Sequence, residues 1–444
     1  MIRNAPYDNM GLPFPTLYWL TCPDTVRAVS GLESQGWIKR LADEATVDPD
    51  LRTRLRRAHE AYARERGTHV AGSEAWGGVG GSKGGVKCLH AHYAYFLAGG
   101  PDPIGLWVAR RLAESGEEIH YEKAGRRVGV IDLGTNSIRL LVARWSRSDG
   151  ALSDLSRDLV LTRLGQGVDR TGTIAPEALD RTLEVLERYA RRARALRAER
   201  LRLSATSAVR DATNRDELAA AVLRWTGEPM EVLTGDEEAR TTFVGATRGL
   251  VAAVPDAAAP FLVLDIGGGS TEFVLGSPGG PEEAISIDVG SVRLTERHVA
   301  SDPPTFEELA AVDAEVTDVL REVEDRIPLH DAATLVAVAG TSTTVQATAM
   351  NLPEYDPDRI HRTWLSRDDA EHVLRLLADM TTDERREIPS MTPGREDVIT
   401  AGTAILVQAM RRWGFERALV SETDILDGLA FRLAEEMEME MERS

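Results

Sequence analysis

Val128-Gly-Val-Ile-Asp132-Leu-Gly134-Thr135-Asn136-Ser137-Ile-Arg139 and, further along, Phe261-Leu-Val-Leu-Asp265-Ile-Gly267-Gly268-Gly269-Ser270-Thr271-Glu272-Phe273 are two versions of one pattern. Each is an apolar run, an aspartate, one apolar residue, a turn of small residues, and a second β-like run. Glycine lets backbone N–H groups approach the oxygens of an anion closely. Ser, Thr and Asn side chains add donors. An aspartate at a strand end offers a hard oxygen to Mg²⁺ or orients a metal-bound water. One Asp-Gly turn is an ordinary hairpin. Two copies imply two similar half-domains facing one another across a cleft.

Outward from these hairpins the chain has an α/β rhythm. Strands are expected at Val128 to Ile131, Ile138 to Ala143, Leu201 to Ala205, Phe261 to Leu264, Thr334 to Ala339 and Ala418 to Val420. Helical periods lie between them, at Pro176 to Arg197, Arg215 to Trp225, Glu237 to Gly249, Phe306 to Ile327, Arg367 to Asp379, Arg395 to Trp413 and Ile425 to Met437. Pro176 suits a first helical turn. The alternation predicts mixed sheets covered by helices. The tail Glu435 to Arg443 alternates Glu and Met and is expected to fray.

The 444 residues suit two or three domains, and 43% apolar with 28% charged residues is a globular composition. Two cysteines, Cys22 and Cys88, exclude a disulfide framework and point to a reducing compartment. No apolar stretch approaches a membrane span, and Pro13 and Pro15 interrupt any signal-peptide core. A cytoplasmic protein that engages no membrane is expected. The net charge of -19 is uneven. Residues 1–124 carry 15 Lys+Arg against 15 Asp+Glu, and the rest carries 37 against 56. Such an acidic surface argues against nucleic-acid binding. A polyanionic substrate must then be drawn in by a local site.

The paired hairpins resemble the phosphate-binding loops of the actin, sugar-kinase and Hsp70 superfamily, a two-lobed α/β (ribonuclease H-like) fold. Within it, residues 127–435 resemble the exopolyphosphatase / guanosine pentaphosphate phosphohydrolase (Ppx/GppA) family. The colinear motifs are Asp132 to Ser137, Thr162-Arg-Leu-Gly-Gln-Gly-Val168, Ala205-Thr-Ser-Ala-Val-Arg210-Asp-Ala-Thr-Asn214 and Leu233-Thr-Gly-Asp-Glu237-Glu238-Ala-Arg240. They continue with Asp265 to Glu272, Asp288-Val-Gly-Ser-Val-Arg293-Leu and Ala339-Gly340-Thr341-Ser-Thr-Thr344. The resemblance implies hydrolysis of terminal phosphoanhydrides. That chemistry needs a positioned water, a base and positive groups on the transferring phosphoryl.

By resemblance Glu238 is the catalytic base, with Glu237 as second choice. Adjacent carboxylates repel, which raises a pKa and helps a base, although acids are favoured in any first helical turn. Asp132, Asp265 and Glu272 are the candidates for coordinating Mg²⁺ (or Mn²⁺) and water, and Glu272 is also a catalytic candidate. Gly134, Thr135, Asn136 and Ser137, with Gly267, Gly268, Gly269, Ser270 and Thr271, are expected to bind phosphates. Gly340 and Thr341 form a third turn after a buried strand. Arg210 is the preferred phosphate arginine, because its guanidinium fork matches phosphate oxygens. Arg163 and Arg293 rank after it. The extra C-terminal phosphohydrolase domain of longer family members is not recognisable, so a short form is expected.

Residues 1–124 resemble a small bacterial domain family of unknown function, through Gly11-Leu-Pro-Phe-Pro-Thr-Leu-Tyr-Trp-Leu-Thr-Cys22-Pro and Gly85-Val-Lys-Cys88-Leu-His90-Ala-His92-Tyr-Ala. Helices are expected at Asp50 to Arg66 and Val86 to Leu97. Cys22, Cys88, His90 and His92 are the residue types of a zinc site. On a strand 88, 90 and 92 share a face, whereas on a helix only Cys88 and His92 do. The pattern Leu89, Tyr93, Phe96, Leu97 favours the helix, so a buried cysteine and structural histidines are the reading adopted. Lys83 and Lys87, with the histidines, form an alternative anion site.

The domain expectation is therefore an α+β segment over 1–124, a first phosphatase lobe over 125–235 and a second over 236–416. The 417–444 segment is a helix returning to the first lobe, with an acidic tail. The expected activity is an exopolyphosphatase acting on inorganic polyphosphate. The alternatives are conversion of pppGpp to ppGpp, a kinase of the same superfamily, or a non-catalytic (p)ppGpp sensor. A homodimer is expected by analogy.

Overall fold

The computed structural model describes residues 2–3, 16–69, 77–98, 100–114, 126–146 and 150–443. The boundary expected at 124–125, and the Gly11 to Pro15 part of the N-terminal stretch, lie outside the described residues. Contacts divide the chain into two units, one of residues 1–129, 141–157 and 190–200, the other of residues 130–140, 158–189 and 201–444.

Among its described residues the first unit holds β1 (Ile2–Arg3) paired antiparallel with β2 (Tyr18–Trp19), and a group of α-helices. These are α1 (Pro23–Ser34), α2 (Trp37–Val47), α3 (Pro49–His69), α4 (Leu89–Leu97) and α5 (Pro103–Glu114). Along α3, Leu51, Leu55, Ala58 and Tyr62 are buried at helical spacing, as the periodicity predicts. Tyr62 packs edge-on to Tyr95 of α4, ring centroids 4.7 Å apart. Leu17, Val79 and Ala91 complete that cluster. Helix α4 starts at Leu89 rather than Val86, because Cys88 is extended and occupies its N-cap.

Two mixed sheets carry the rest. A five-stranded sheet has the order β5-β4-β3-β6-β7. Its strands are β3 (Arg126–Leu133), β4 (Ser137–Ser146), β5 (Ala151–Leu161), β6 (Arg200–Ala205) and β7 (Glu231–Val232). A six-stranded sheet lies in the second unit, in the order β10-β9-β8-β11-β13-β12. It comprises β8 (Phe261–Ile266), β9 (Thr271–Ser277), β10 (Gly280–Ile287), β11 (Thr334–Val338), β12 (Thr363–Ser366) and β13 (Arg417–Val420). Strands β8, β11 and β13 run parallel, and β9, β10 and β12 join antiparallel. The outer strands β5, β10 and β12 carry charged or polar residues among their apolar ones, which hides them from a search for apolar runs.

The helices that matter for the site are α6 (Pro176–Ala195), α7 (Ser207–Asp211), α8 (Gly235–Thr247), α9 (Ser291–His298), α10 (Ala339–Ala349), α11 (Ile399–Arg412) and α12 (Ile425–Arg443). Strand parity decides what faces them. On β8, Leu262, Leu264 and Ile266 enter one core cluster, while Phe261 and Val263 enter the other with Ala239 and Phe243 of α8. Each such buried side chain contributes roughly 1.5–3 kcal/mol. Asp265 shares the parity of Phe261 and Val263, so the same alternation turns it toward α8.

Helix α12 crosses α8 at two glycines. A Cβ on Gly245 would lie 1.8 Å from the Asp424 carbonyl oxygen, and one on Gly428 would lie 2.0 Å from that of Thr241. The tail expected to fray is helical as far as Arg443. It is held by buried Met437 and by an Arg248–Glu435 ion pair at 2.8 Å.

Candidate active site

The two glycine turns close identically. The Gly134 N–H donates to the Ser137 carbonyl at 2.9 Å, and the Gly267 N–H to that of Ser270 at 3.0 Å. The turns then meet. Thr135 Oγ1 and Ser207 Oγ are 2.9 Å apart, and a Cβ on Gly269 would sit 2.5 Å from both oxygens. Only glycine allows that approach. Around this junction lies a cleft of about 100 Å³, entirely within the second unit.

Four carboxyl groups converge there. Asp265 and Glu272 are direct cross-strand partners on β8 and β9. Asp265 Oδ2 accepts from Thr242 Oγ1 of α8 at 3.1 Å, and Glu272 Oε1 accepts from Ser286 Oγ at 2.8 Å. Asp132 Oδ2 accepts from Arg139 Nε at 2.9 Å and Nη2 at 2.7 Å, and the same guanidinium bonds Asp424. Glu238 comes from the first turn of α8.

The three acids of that turn are separated by what they touch. Asp236 is exposed and pairs with Arg240 at 2.8 Å. Glu237 closes a capping box: its carboxylate accepts from the Thr234 N–H at 2.8 Å, and its own N–H donates to Thr234 Oγ1. Glu238 alone is buried and faces the cleft. Burial pushes its carboxyl up to about 8, against the pull of Arg210 and with the push of Asp265 and Asp132. Burial also raises Asp132, and it raises Asp265 and Glu272 well above the ordinary carboxylate range.

Of the residues expected from sequence, Asp132, Gly134, Thr135, Asn136, Ser137, Glu238, Asp265, Gly267, Gly268, Gly269, Ser270, Glu272, Gly340 and Thr341 all line the cleft. Two do not. Thr271 is buried and donates its hydroxyl to the Val289 carbonyl at 2.6 Å. Arg210 of α7 stands behind Glu238, donating from Nη1 to Glu238 Oε2 at 3.2 Å and to the Leu233 carbonyl at 2.9 Å. The second-rank arginines are tied elsewhere, Arg163 to Asp397 at 2.8 Å and Arg293 to Asp169 at 2.6 Å.

The cleft also has a cationic wall that sequence motifs do not single out. It is Arg139 and Arg395. Arg139 ends the quoted hairpin motif itself. Arg395 rests on Gly340, where any Cβ would come within 1.4 Å of its Nη1. Burial lowers its pKa. The third turn forms as β11 ends at Val338 and Ala339, at φ 61°, turns the chain into α10. That aims a helix N-terminus at the cleft, a favourable place for an anion.

The donor set suits a hard divalent cation. It is all carboxylate oxygen, and Asp132 Oδ1 is buried without a hydrogen-bond partner. Buried acid outweighs buried base here, which a cation would correct. Asp132, Asp265 and Glu272 do not form a ready-made three-ligand cluster. Among the described residues, the set of three ligand atoms lying within 4.8 Å of one another is Glu33, Cys88 and His90. A Mg²⁺ ion that keeps several waters and takes one or two carboxylates plus phosphate oxygens needs no such cluster.

The quartet of Cys22, Cys88, His90 and His92 is not assembled. His92 is buried, and its Nδ1 is 2.7 Å from Asp102 Oδ2. His92 is therefore structural, and Lys83 and Lys87 are exposed without it.

Comparison with known proteins adds a second line. The Ppx/GppA phosphatase family matches residues 142–436, and a protein family of unknown function, DUF501, matches residues 1–110. Exopolyphosphatase 2 of Mycobacterium tuberculosis is 44% identical over 322 residues, 69% of this chain and 98% of that protein. A crystal structure of an exopolyphosphatase-like protein is 37% identical with a TM-score of 0.66, covering 70% of this chain and 99% of the other. The Ppx/GppA family member of Aquifex aeolicus is 30% identical with a TM-score of 0.59, covering 71% and 98%. The architecture is the actin-like fold expected from the paired hairpins.

Proposed function

The chain belongs to the Ppx/GppA phosphatase family and is a phosphoanhydride hydrolase, and on that premise we propose that it is an exopolyphosphatase releasing the terminal phosphate of inorganic polyphosphate. The observation that carries this reading is Glu238, a buried carboxyl facing a cleft walled by two phosphate-type turns.

The N–H groups and side-chain donors of 135–137 and 268–270 hold the last phosphates of the chain, while the Gly134 and Gly267 N–H groups close the turns. Gly340 and Thr341, at the start of α10, hold the next, with Arg139 and Arg395 balancing charge. Glu238 in its carboxylate form accepts a proton from the attacking water. The water oxygen bonds to the terminal phosphorus, the bridging P–O bond breaks, and the shortened chain keeps the bridging oxygen. Arg210 positions Glu238 and supplies positive charge at that end of the cleft. Asp132, Asp265 and Glu272 would hold Mg²⁺ (or Mn²⁺), which supplies polarisation of the phosphoryl oxygens.

The two half-domains of this proposal are residues 125–235 and 236–416, each bearing one hairpin. Among the described residues no helix is long and apolar enough to cross a membrane. The free thiols of Cys22 and Cys88 support a cytoplasmic setting. Purified chain with Mg²⁺ should release phosphate from long polyphosphate faster than from tripolyphosphate or pppGpp. Preferential conversion of pppGpp would replace the polyphosphate reading by the pentaphosphate one. Tight (p)ppGpp binding with no phosphate released from any of the three would end both.

A further inference from the structure

The N-terminal domain brings three different ligand types together from two helices. Glu33 lies in the last turn of α1, Cys88 caps α4, and His90 sits in the first turn of α4. One ligand atom from each lies within 4.8 Å of the others, and all three residues are half-buried. We propose that Glu33, Cys88 and His90 form a Zn²⁺ site that clamps α1 to α4, with one coordination position left for water or a further ligand.

The surroundings are those of a ligand set. His90 Nδ1 faces Glu33 Oε1 at 3.2 Å, while Nε2 lies 3.2 Å from the Val26 carbonyl oxygen and from Ser30 Oγ. An imidazole whose far nitrogen donates to a carbonyl has its near nitrogen oriented for a metal. Glu33 Oε1 is fixed in turn by the Leu89 N–H at 2.7 Å. Thiolate, imidazole and carboxylate together suit borderline Zn²⁺ rather than Mg²⁺. Only tertiary packing reveals the site. Glu33, not Cys22 or His92, is the residue that stands beside Cys88 and His90.

The test uses the full chain, stripped with chelator and titrated with Co²⁺ in excess Mg²⁺, which keeps the phosphatase cleft occupied. A thiolate-to-cobalt charge-transfer band saturating at one metal per chain, and bleached by Zn²⁺, is the expected result. Cys88→Ser should abolish the band and Cys22→Ser should leave it. Glu33→Gln keeps the acceptor for the Leu89 N–H, and should weaken binding by at least the roughly 10-fold that loss of an outer-shell partner costs, as should His90→Ala. No band in the parent chain, or a band that survives Cys88→Ser, would overturn the proposal.

Discussion

The two hairpins have the same backbone and opposite electrostatics. Aligned on their turns, Asp132 matches Asp265, Gly134 matches Gly267, and Arg139 matches Glu272. In the first hairpin the aspartate is neutralised by the arginine on the outgoing strand. In the second the aspartate faces a buried glutamate. Duplicated geometry places the same small-residue turn on both sides of the cleft. One changed position gives the first aspartate a guanidinium partner, shared with Asp424, and sets two buried acids side by side in the second. The side-by-side buried acids are therefore on β8 and β9.

That contrast can be broken in order of expected effect. Gly269→Ala puts a methyl against Thr135 and Ser207 and drives the two turns apart. A misplacement of about 1 Å costs on the order of 10²-fold, so kcat/KM for polyphosphate should fall by about that much. Next, Asp265→Asn and Glu272→Gln should each raise the Mg²⁺ concentration for half-activation by more than about tenfold. Asp132→Asn should raise it less, since Arg139 already serves Asp132. An equal response in both hairpins would show that the asymmetry has no bearing on metal binding.

The smallest effect concerns stability. Glu238 is raised in the folded chain to about 8, and Asp265 and Glu272 are raised as well. Between the ordinary carboxylate pKa and the folded one, the unfolded chain holds fewer protons than the native one. Stability is then fully present below the unfolded pKa and is lost as pH rises toward 8. Chelated protein should melt at progressively lower temperature from pH 5 to pH 8, and Mg²⁺ should flatten the decline by binding the native state. A melting temperature that climbs over this range without metal would reverse the assignment of these carboxyls.

Much of this was legible in the sequence because it is local. A turn such as Gly267 to Ser270 declares itself through residues that do little else, and β8 through an unbroken apolar run. Glu238 was reachable through the family motif. Its separation from Glu237 needed the capping box, which depends on where the helix starts. Arg395 was not legible, because its place in the cleft depends on Gly340, a contact between distant segments. Arg210 was read as a phosphate ligand from its motif, whereas its observed partners are Glu238 and a backbone carbonyl. In the N-terminal domain the helical reading of Leu89 to Leu97 and a structural His92 were legible, whereas Glu33 beside His90 was not. A helix sends His92 into the core beside Asp102 and leaves His90 to meet Glu33.

The most direct measurement is the pH dependence of phosphate release from long polyphosphate by the parent chain and by Glu238→Gln, with chain binding measured beside it. The parent kcat/KM should rise with pH as Glu238 loses its proton. Glu238→Gln should lose that limb and fall by about 10²–10⁴-fold in turnover while still binding polyphosphate. A Glu238→Gln enzyme with parental turnover and an unchanged pH profile would contradict the account.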